Sequence, residues 1–69
     1  MKKVNFDPKK GYPVGPNLSY RCKSCGEIIE SQPAQSMGCK CQNIFIDMDY
    51  ARVSVKRDKD IELLDTSSN

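Results

Sequence analysis

Residues 20–47 read YRCKSCGEIIESQPAQSMGCKCQNIFID, and two close cysteine pairs in this stretch decide the fold. Cys22 and Cys25 stand in a C-x-x-C spacing, residues 26–38 follow, and Cys39 and Cys41 form a C-x-C. Two short pairs joined by a loop let four thiolates converge on one tetrahedral ion. A tight turn points both sulfurs of a pair to one side. Gly26 follows the second cysteine of the first pair, where freedom from Cβ clash lets backbone N–H groups aim at sulfur. Gly38 gives similar freedom before Cys39, and Asn43 is expected to take a left-handed position after the second pair.

The rest of the chain explains why such a staple is needed. It has 69 residues, room for one domain, and only 38% of them are apolar. Below roughly 70–80 residues a single core seldom supplies more than a few kcal/mol, so a cross-link is expected. Disulfides are one source, suited to oxidising compartments. The opening residues Met1–Pro8 carry no apolar run, so no signal peptide is expected, and no stretch is long enough to span a membrane. This reading places the chain in the cytoplasm, where clustered cysteines act as metal ligands. One zinc ion bound by Cys22, Cys25, Cys39 and Cys41 is the leading expectation. Iron fits the same geometry, and two disulfides are the remaining alternative. Arg21, Lys23 and Lys40 flank the ligands and offset the charge of a tetrathiolate site.

Outward from the cysteines, Ser19–Arg21 reads as a strand entering the first pair and Glu27–Glu30 as a strand leaving it. Ser31–Gly38 reads as a polar loop. Asn43–Ile46 is rich in β-branched and aromatic residues, and Ala51–Lys56 alternates with period two. Ile44, Ile46 and Met48 are even-numbered, whereas Ala51, Val53 and Val55 are odd. One strand cannot keep both sets on one face, so a hairpin of Asn43–Asp47 against Tyr50–Lys56 is predicted. Arg57–Asp60 reads as a charged turn, and 61–65 as a third strand in preference to a helical turn. Pro8, Pro13 and Pro16 make residues 1–18 an extended arm. The predicted organisation is therefore an arm (1–18), a zinc-ribbon-like, mostly-β domain (19–65) with a three-stranded antiparallel sheet or hairpins, and a frayed tail (66–69).

These residues also resemble a group of short zinc-ribbon-like proteins of bacteria and their phages. The resemblance rests on Cys22-x-x-Cys25-Gly26-Glu27-x-Ile29-Glu30-Ser31, on Cys39-x-Cys41, and on Ile46-Asp47 followed by Asp49-Tyr50-x-Arg52. It covers roughly residues 20–52. Gln42 departs from the glycine that the group carries after its C-x-C, and Met48 alone separates two aspartates where the group has a glycine pair. The resemblance implies a ribbon fold and a bacterial or phage origin, and no activity.

Function is constrained by what the composition omits. The chain has no histidine, which removes the commonest general base. Four thiolates leave no open position for a metal-bound water, and a thioredoxin-like redox fold needs more chain. An enzyme is therefore not expected. A protein-interaction module is, with Phe45, Asp47, Asp49, Tyr50 and Arg52 as candidate surface and an inhibitor, immunity-type or adaptor role. The second candidate is a nucleic-acid-binding ribbon of the transcription or replication machinery. Residues 1–25 carry +5 (Lys2, Lys3, Lys9, Lys10, Arg21 and Lys23 against Asp7), with Tyr12 and Tyr20 as stacking groups. The −3 of residues 26–50 and a net charge of only +2 favour the protein partner.

Overall fold

The computed structural model describes residues 2–50 and 52–67. Among the described residues seven strands run β1 (Lys2–Val4), β2 (Leu18–Cys22), β3 (Ile28–Glu30), β4 (Met37–Gly38), β5 (Ile44–Asp47), β6 (Arg52–Val55) and β7 (Ile61–Asp65). Short 3-10 turns, η1 (Pro8–Lys10) and η2 (Asp58–Asp60), precede β2 and β7. The strands form two antiparallel sheets, ordered β1-β7-β2-β3 and β4-β5-β6.

Each sheet is built on a hairpin with a cysteine pair in its turn. β2 and β3 pair with Tyr20 opposite Ile29, and the chain reverses through Cys22–Glu27, closed by the Cys22 N–H bonded to the Glu27 carbonyl (2.9 Å). β4 and β5 pair with Gly38 opposite Phe45 and reverse through Cys39–Ile44, closed by the Cys39 N–H bonded to the Ile44 carbonyl (3.0 Å).

The predicted second hairpin is present as β5 against β6, with Ile44 opposite Val55 and Ile46 opposite Val53. The parity argument holds in packing: Ile44, Ile46 and Val53 are buried. Met48 leaves that face in the turn and is exposed, and Ala51 lies outside the described residues. Residues 61–65 are a strand, as expected, with Ile61, Leu63 and Leu64 buried.

The core lies where the inner faces of the two sheets meet. Tyr20, Ile29, Ile61 and Leu63 come from the first sheet, Ile44, Ile46 and Val53 from the second, and Cys22 and Cys39 complete the cluster. Each such aliphatic side chain contributes roughly 1.5–3 kcal/mol by leaving water, so so few of them favour a cross-linked fold.

The segment before β2 adds structure that its prolines concealed. Lys2–Val4 pairs with β7 in the register Lys2 opposite Asp65, and η1 starts at Pro8 under an Asp7 cap that accepts the Lys9 N–H. A proline at the start of a helical turn loses no hydrogen bond, which is why η1 tolerates it. Phe6, Tyr12 and Tyr20 then form an aromatic trio with ring centroids 5.9–6.3 Å apart. Ser31, buried, accepts the Gly15 N–H (3.0 Å) and donates to the Gly15 carbonyl (2.9 Å). The strands thus form sheets of four and three where one three-stranded sheet or hairpins were expected, and β7 joins β1 and β2 rather than the β5–β6 hairpin. At the other end the Thr66 N–H donates to the Asn17 carbonyl (2.8 Å). Ser68 and Asn69 of the predicted tail lie outside the described residues, as does Met1 of the arm.

Candidate metal centre

The turns of the two cysteine-bearing hairpins meet. The Sγ atoms of Cys22, Cys25, Cys39 and Cys41 all lie within 4.8 Å of one another, and all four are free thiols. Cys22 and Cys41 approach to 3.4 Å, and Cys39 and Cys41 to 3.7 Å. A tetrahedron of sulfurs at about 2.3 Å from a central ion has edges of about 3.8 Å. The donor set therefore fits a single tetrahedral ion. Cys22 and Cys41 are 19 positions apart in the chain, so such an ion would close a long loop between the sheets.

Burial grades across the cluster. Cys22 and Cys39 are buried in the core, Cys25 is intermediate, and Cys41 is exposed. The inner pair ties the site to the hydrophobic interior, while the outer pair leaves a path for an ion to enter.

Backbone N–H groups converge on the sulfurs, as they must if thiolates are to persist in a partly dry site. The Ile44 N–H donates to Cys39 Sγ (3.3 Å). The Glu27 and Cys41 N–H groups lower the Cys25 thiol to about 6. Burial pushes Cys22 up, but the N–H groups of Cys25 and Ser24 and the Cys41 thiol bring it below its ordinary value. Cys41 goes the other way: the Asn43 N–H lowers it, yet the adjoining Cys22 sulfur, burial, Cys39 and Cys25 together raise it to about 11. Four crowded sulfurs cannot all shed their protons without a cation, so Cys41 holds its proton more tightly while Cys25 gives its proton up more readily.

The left-handed residue after the second pair is Gln42 (φ 61°), not Asn43. Asn43 is instead a buried brace. Its side-chain carbonyl accepts the Arg57 N–H (2.6 Å), and its amide donates to the Arg57 carbonyl (3.2 Å) and faces Cys22 Sγ at 3.9 Å. It thereby couples the second knuckle to the segment leading into β7. The same side chain that suits a left-handed turn also suits a bidentate backbone clamp. The signal available in the sequence was a polar residue heading an apolar run, and that signal does not tell the two apart.

Basic residues proposed to flank the ligands are drawn elsewhere in part. Arg21 faces Glu62 at 3.8 Å, which Lys3 also approaches at 3.6 Å. Arg57, read from the sequence only as part of a charged turn, bonds Asp60 (3.0 Å) and Ser24 Oγ (3.3 Å), linking η2 to the first knuckle. Of the candidate surface, Phe45, Asp47 and Arg52 share the outward face of β5 and β6, with Asp47 opposite Arg52. Tyr50 is 79% exposed. Asp47 accepts the Asp49 N–H (3.0 Å), which ties the turn into shape. Tyr20, offered above as a stacking group, is fully buried with its hydroxyl bonded to the Pro13 carbonyl. Burial and the adjacent Tyr12 hold its phenol well above the ordinary range.

Fold and cluster together define a small mostly-β domain of two antiparallel sheets whose four gathered cysteines are compatible with a metal-stapled, zinc-ribbon-like class. The chain belongs to the family described as a domain of unknown function (DUF7695), whose model matches residues 17–55. That span runs from β2 to β6 and includes both knuckles, while β1, η1, η2 and β7 lie outside it. Comparison with curated proteins and with solved structures gave no match. Among the described residues, no helix is long and apolar enough to cross a membrane.

Proposed function

We propose that this protein binds one zinc ion through Cys22, Cys25, Cys39 and Cys41, and that the stapled domain serves as a protein-interaction module rather than an enzyme. The observation that carries the metal reading is the gathering of four free sulfurs within 4.8 Å. Zinc is preferred to iron because it suits a closed tetrathiolate shell without redox chemistry. One ion is preferred to an iron–sulfur cluster because sulfurs this close leave room for a single ion.

The interaction reading draws support from the β5–β6 hairpin, which holds two aromatic side chains toward solvent on a hydrogen-bonded frame. Phe45 is 45% exposed and Tyr50 79%. Aromatic and arginine side chains presented on a rigid element bind with little ordering cost. Phe45, Asp47, Asp49, Tyr50 and Arg52 form the proposed surface of an adaptor or inhibitor. The nucleic-acid reading is less well supported, because Lys3 and Arg21 both turn to Glu62 and Tyr20 offers no face for stacking.

Native mass spectrometry before and after a zinc chelator tests the first part. The expected result is one zinc ion per chain, lost together with the folded charge-state distribution. A chain that carries no metal, or keeps its shape after all four cysteines become serine, would overturn it. For the second part, affinity capture from a bacterial lysate is expected to recover a stoichiometric protein with wild type and to lose it with Tyr50→Ala. Identical recoveries would count against this surface.

A further inference from the structure

Among the described residues β3 is an edge strand: it pairs with β2 on one side and with no strand on the other. The register shows which of its backbone groups are left open. The Cys22 N–H bonds the Glu27 carbonyl and the Ser31 N–H bonds the Leu18 carbonyl, at 2.9 Å each, in the register that sets Tyr20 opposite Ile29. Bonded and unbonded pairs alternate along an antiparallel ladder. Tyr20 and Ile29 are therefore a bonded pair, and the N–H and C=O groups of Ile28 and Glu30 point away from β2 to the open edge.

The same two residues line a surface groove of about 540 Å³, completed by the 33–37 segment. Its apolar wall is unusually wet for so small a domain: Ile28 is 43% and Met37 44% exposed. The one charged side chain in it is Glu30. A second cavity, reached across Pro33, adds Met48 and again a single charge, Asp47. No lysine or arginine lines either, and among the described residues neither acid forms an ion pair.

We propose that the β3 edge and this groove form a docking site for an extended polypeptide segment that adds as a further strand, with an apolar side chain opposite Ile28 and a basic one opposite Glu30. Open N–H and C=O groups supply the main-chain bonds of strand addition, and the groove supplies the pocket that selects alternate side chains. The Glu30 carboxylate, which has no ion-pair partner among the described residues, selects the charge. A second copy of this chain is a poorer occupant, because edge-to-edge pairing would bring Glu27 and Glu30 of both copies together. The β3 edge itself shares no residue with the Phe45–Tyr50 surface, which it approaches only through the cavity at Asp47 and Met48.

The test uses the zinc-loaded full chain and a five-residue peptide, Ac-Lys-Val-Val-Val-Lys-NH2, which offers lysine and valine on one face in either strand direction. Counterparts with both lysines replaced by glutamate, or all valines by serine, are the controls. In amide NMR spectra the Lys/Val peptide is expected to shift the signals of Ile28, Glu30 and Met37 and to slow exchange of the Ile28 and Glu30 N–H groups. The controls should bind at least about five-fold more weakly. Glu30→Lys should reverse the preference between the two charged peptides. Ile28→Pro should abolish binding with metal content unchanged, since edge strands accept proline where the N–H faces outward. If Ile28→Pro does not fold, the Glu30→Lys reversal decides the question. Absence of shifts at these amides, equal binding of both charged peptides, or self-association through β3 without peptide binding would overturn the proposal. Tyr50→Ala should bind the peptide as wild type does, so failure of the β5–β6 surface would register separately.

Discussion

Gly26 and Gln42 occupy equivalent places in the two knuckles: each directly follows the second cysteine of its pair, and both have positive φ, 79° and 61°. The first knuckle uses the residue that adopts this conformation freely. The second uses a residue with a Cβ, which meets the following carbonyl in left-handed backbone at a cost of about 1–2 kcal/mol. The two hairpins therefore both pass through left-handed backbone just after their second sulfur, but at unequal strain.

Gln42→Gly is accordingly expected to stabilise the zinc-loaded protein by about 0.5–1 kcal/mol, the relief of strain less the added freedom of the unfolded chain. Gly26→Ala should destabilise it by about 1 kcal/mol, although a Cβ at Gly26 would meet nothing within 4 Å. Denaturant unfolding with zinc present measures both. A loss on Gln42→Gly would show that the side chain contributes more than its backbone costs.

Asn43 should be the most sensitive polar position outside the ligands. Asn43→Ala leaves the Arg57 N–H and C=O without their partner, at about 1 kcal/mol for each of these part-buried bonds. Asn43→Asp keeps the acceptor for the Arg57 N–H but loses the donor and sets a carboxylate near Cys22 Sγ. Its zinc affinity should therefore fall further than its zinc-free stability. Paired chelator competition and unfolding experiments separate the two effects.

Zinc binding should release protons, and the number should rise as pH falls. At pH 8 Cys41, raised to about 11, holds its proton in the metal-free protein, whereas Cys25, lowered to about 6, does not. Binding at pH 8 then frees at least the Cys41 proton. Below about pH 6 Cys25 is protonated as well and must also be stripped, so affinity falls more steeply with acidity. The same depression means that the Cys25 thiolate favours the folded metal-free chain above its unfolded value, and that this contribution is lost as pH falls through about 6. Calorimetry in buffers of different ionisation enthalpy counts the protons.

Ser31→Ala should loosen the arm without disturbing the metal. It removes both bonds to Gly15 and is expected to cost about 1–2 kcal/mol. Faster hydrogen exchange at the Gly15 amide, with unchanged zinc content, is the expected signature.

Much of this architecture is local and so was legible in the residues. Ser19–Arg21, Glu27–Glu30, Asn43–Ile46 and residues 52–56 announce strands by composition and alternation, and the parity switch between Ile46 and Val53 announces the hairpin. The gathering of the four sulfurs followed from spacing, because each pair sits in a tight turn whose reach is set by backbone geometry. Less accessible were contacts whose partners lie far along the chain. Nothing in Lys2–Val4 announces that it will pair with Ile61–Asp65, and prolines nearby argued against a strand altogether.

The amino-acid order alone determined the two knuckles, the β5–β6 hairpin and the need for a staple, since turn chemistry and side-chain alternation act over a few residues, whereas strand β4 lies within what reads as the polar loop Ser31–Gly38. Tertiary structure decided that β7 lies between β1 and β2, that Asn43 clamps Arg57 while Gln42 takes the strained turn, and that Ile28 and Glu30 leave an open edge. Those choices depend on which distant segments close upon one another. Many pairings satisfy the same local pattern, and only the packed interior between the two sheets selects among them.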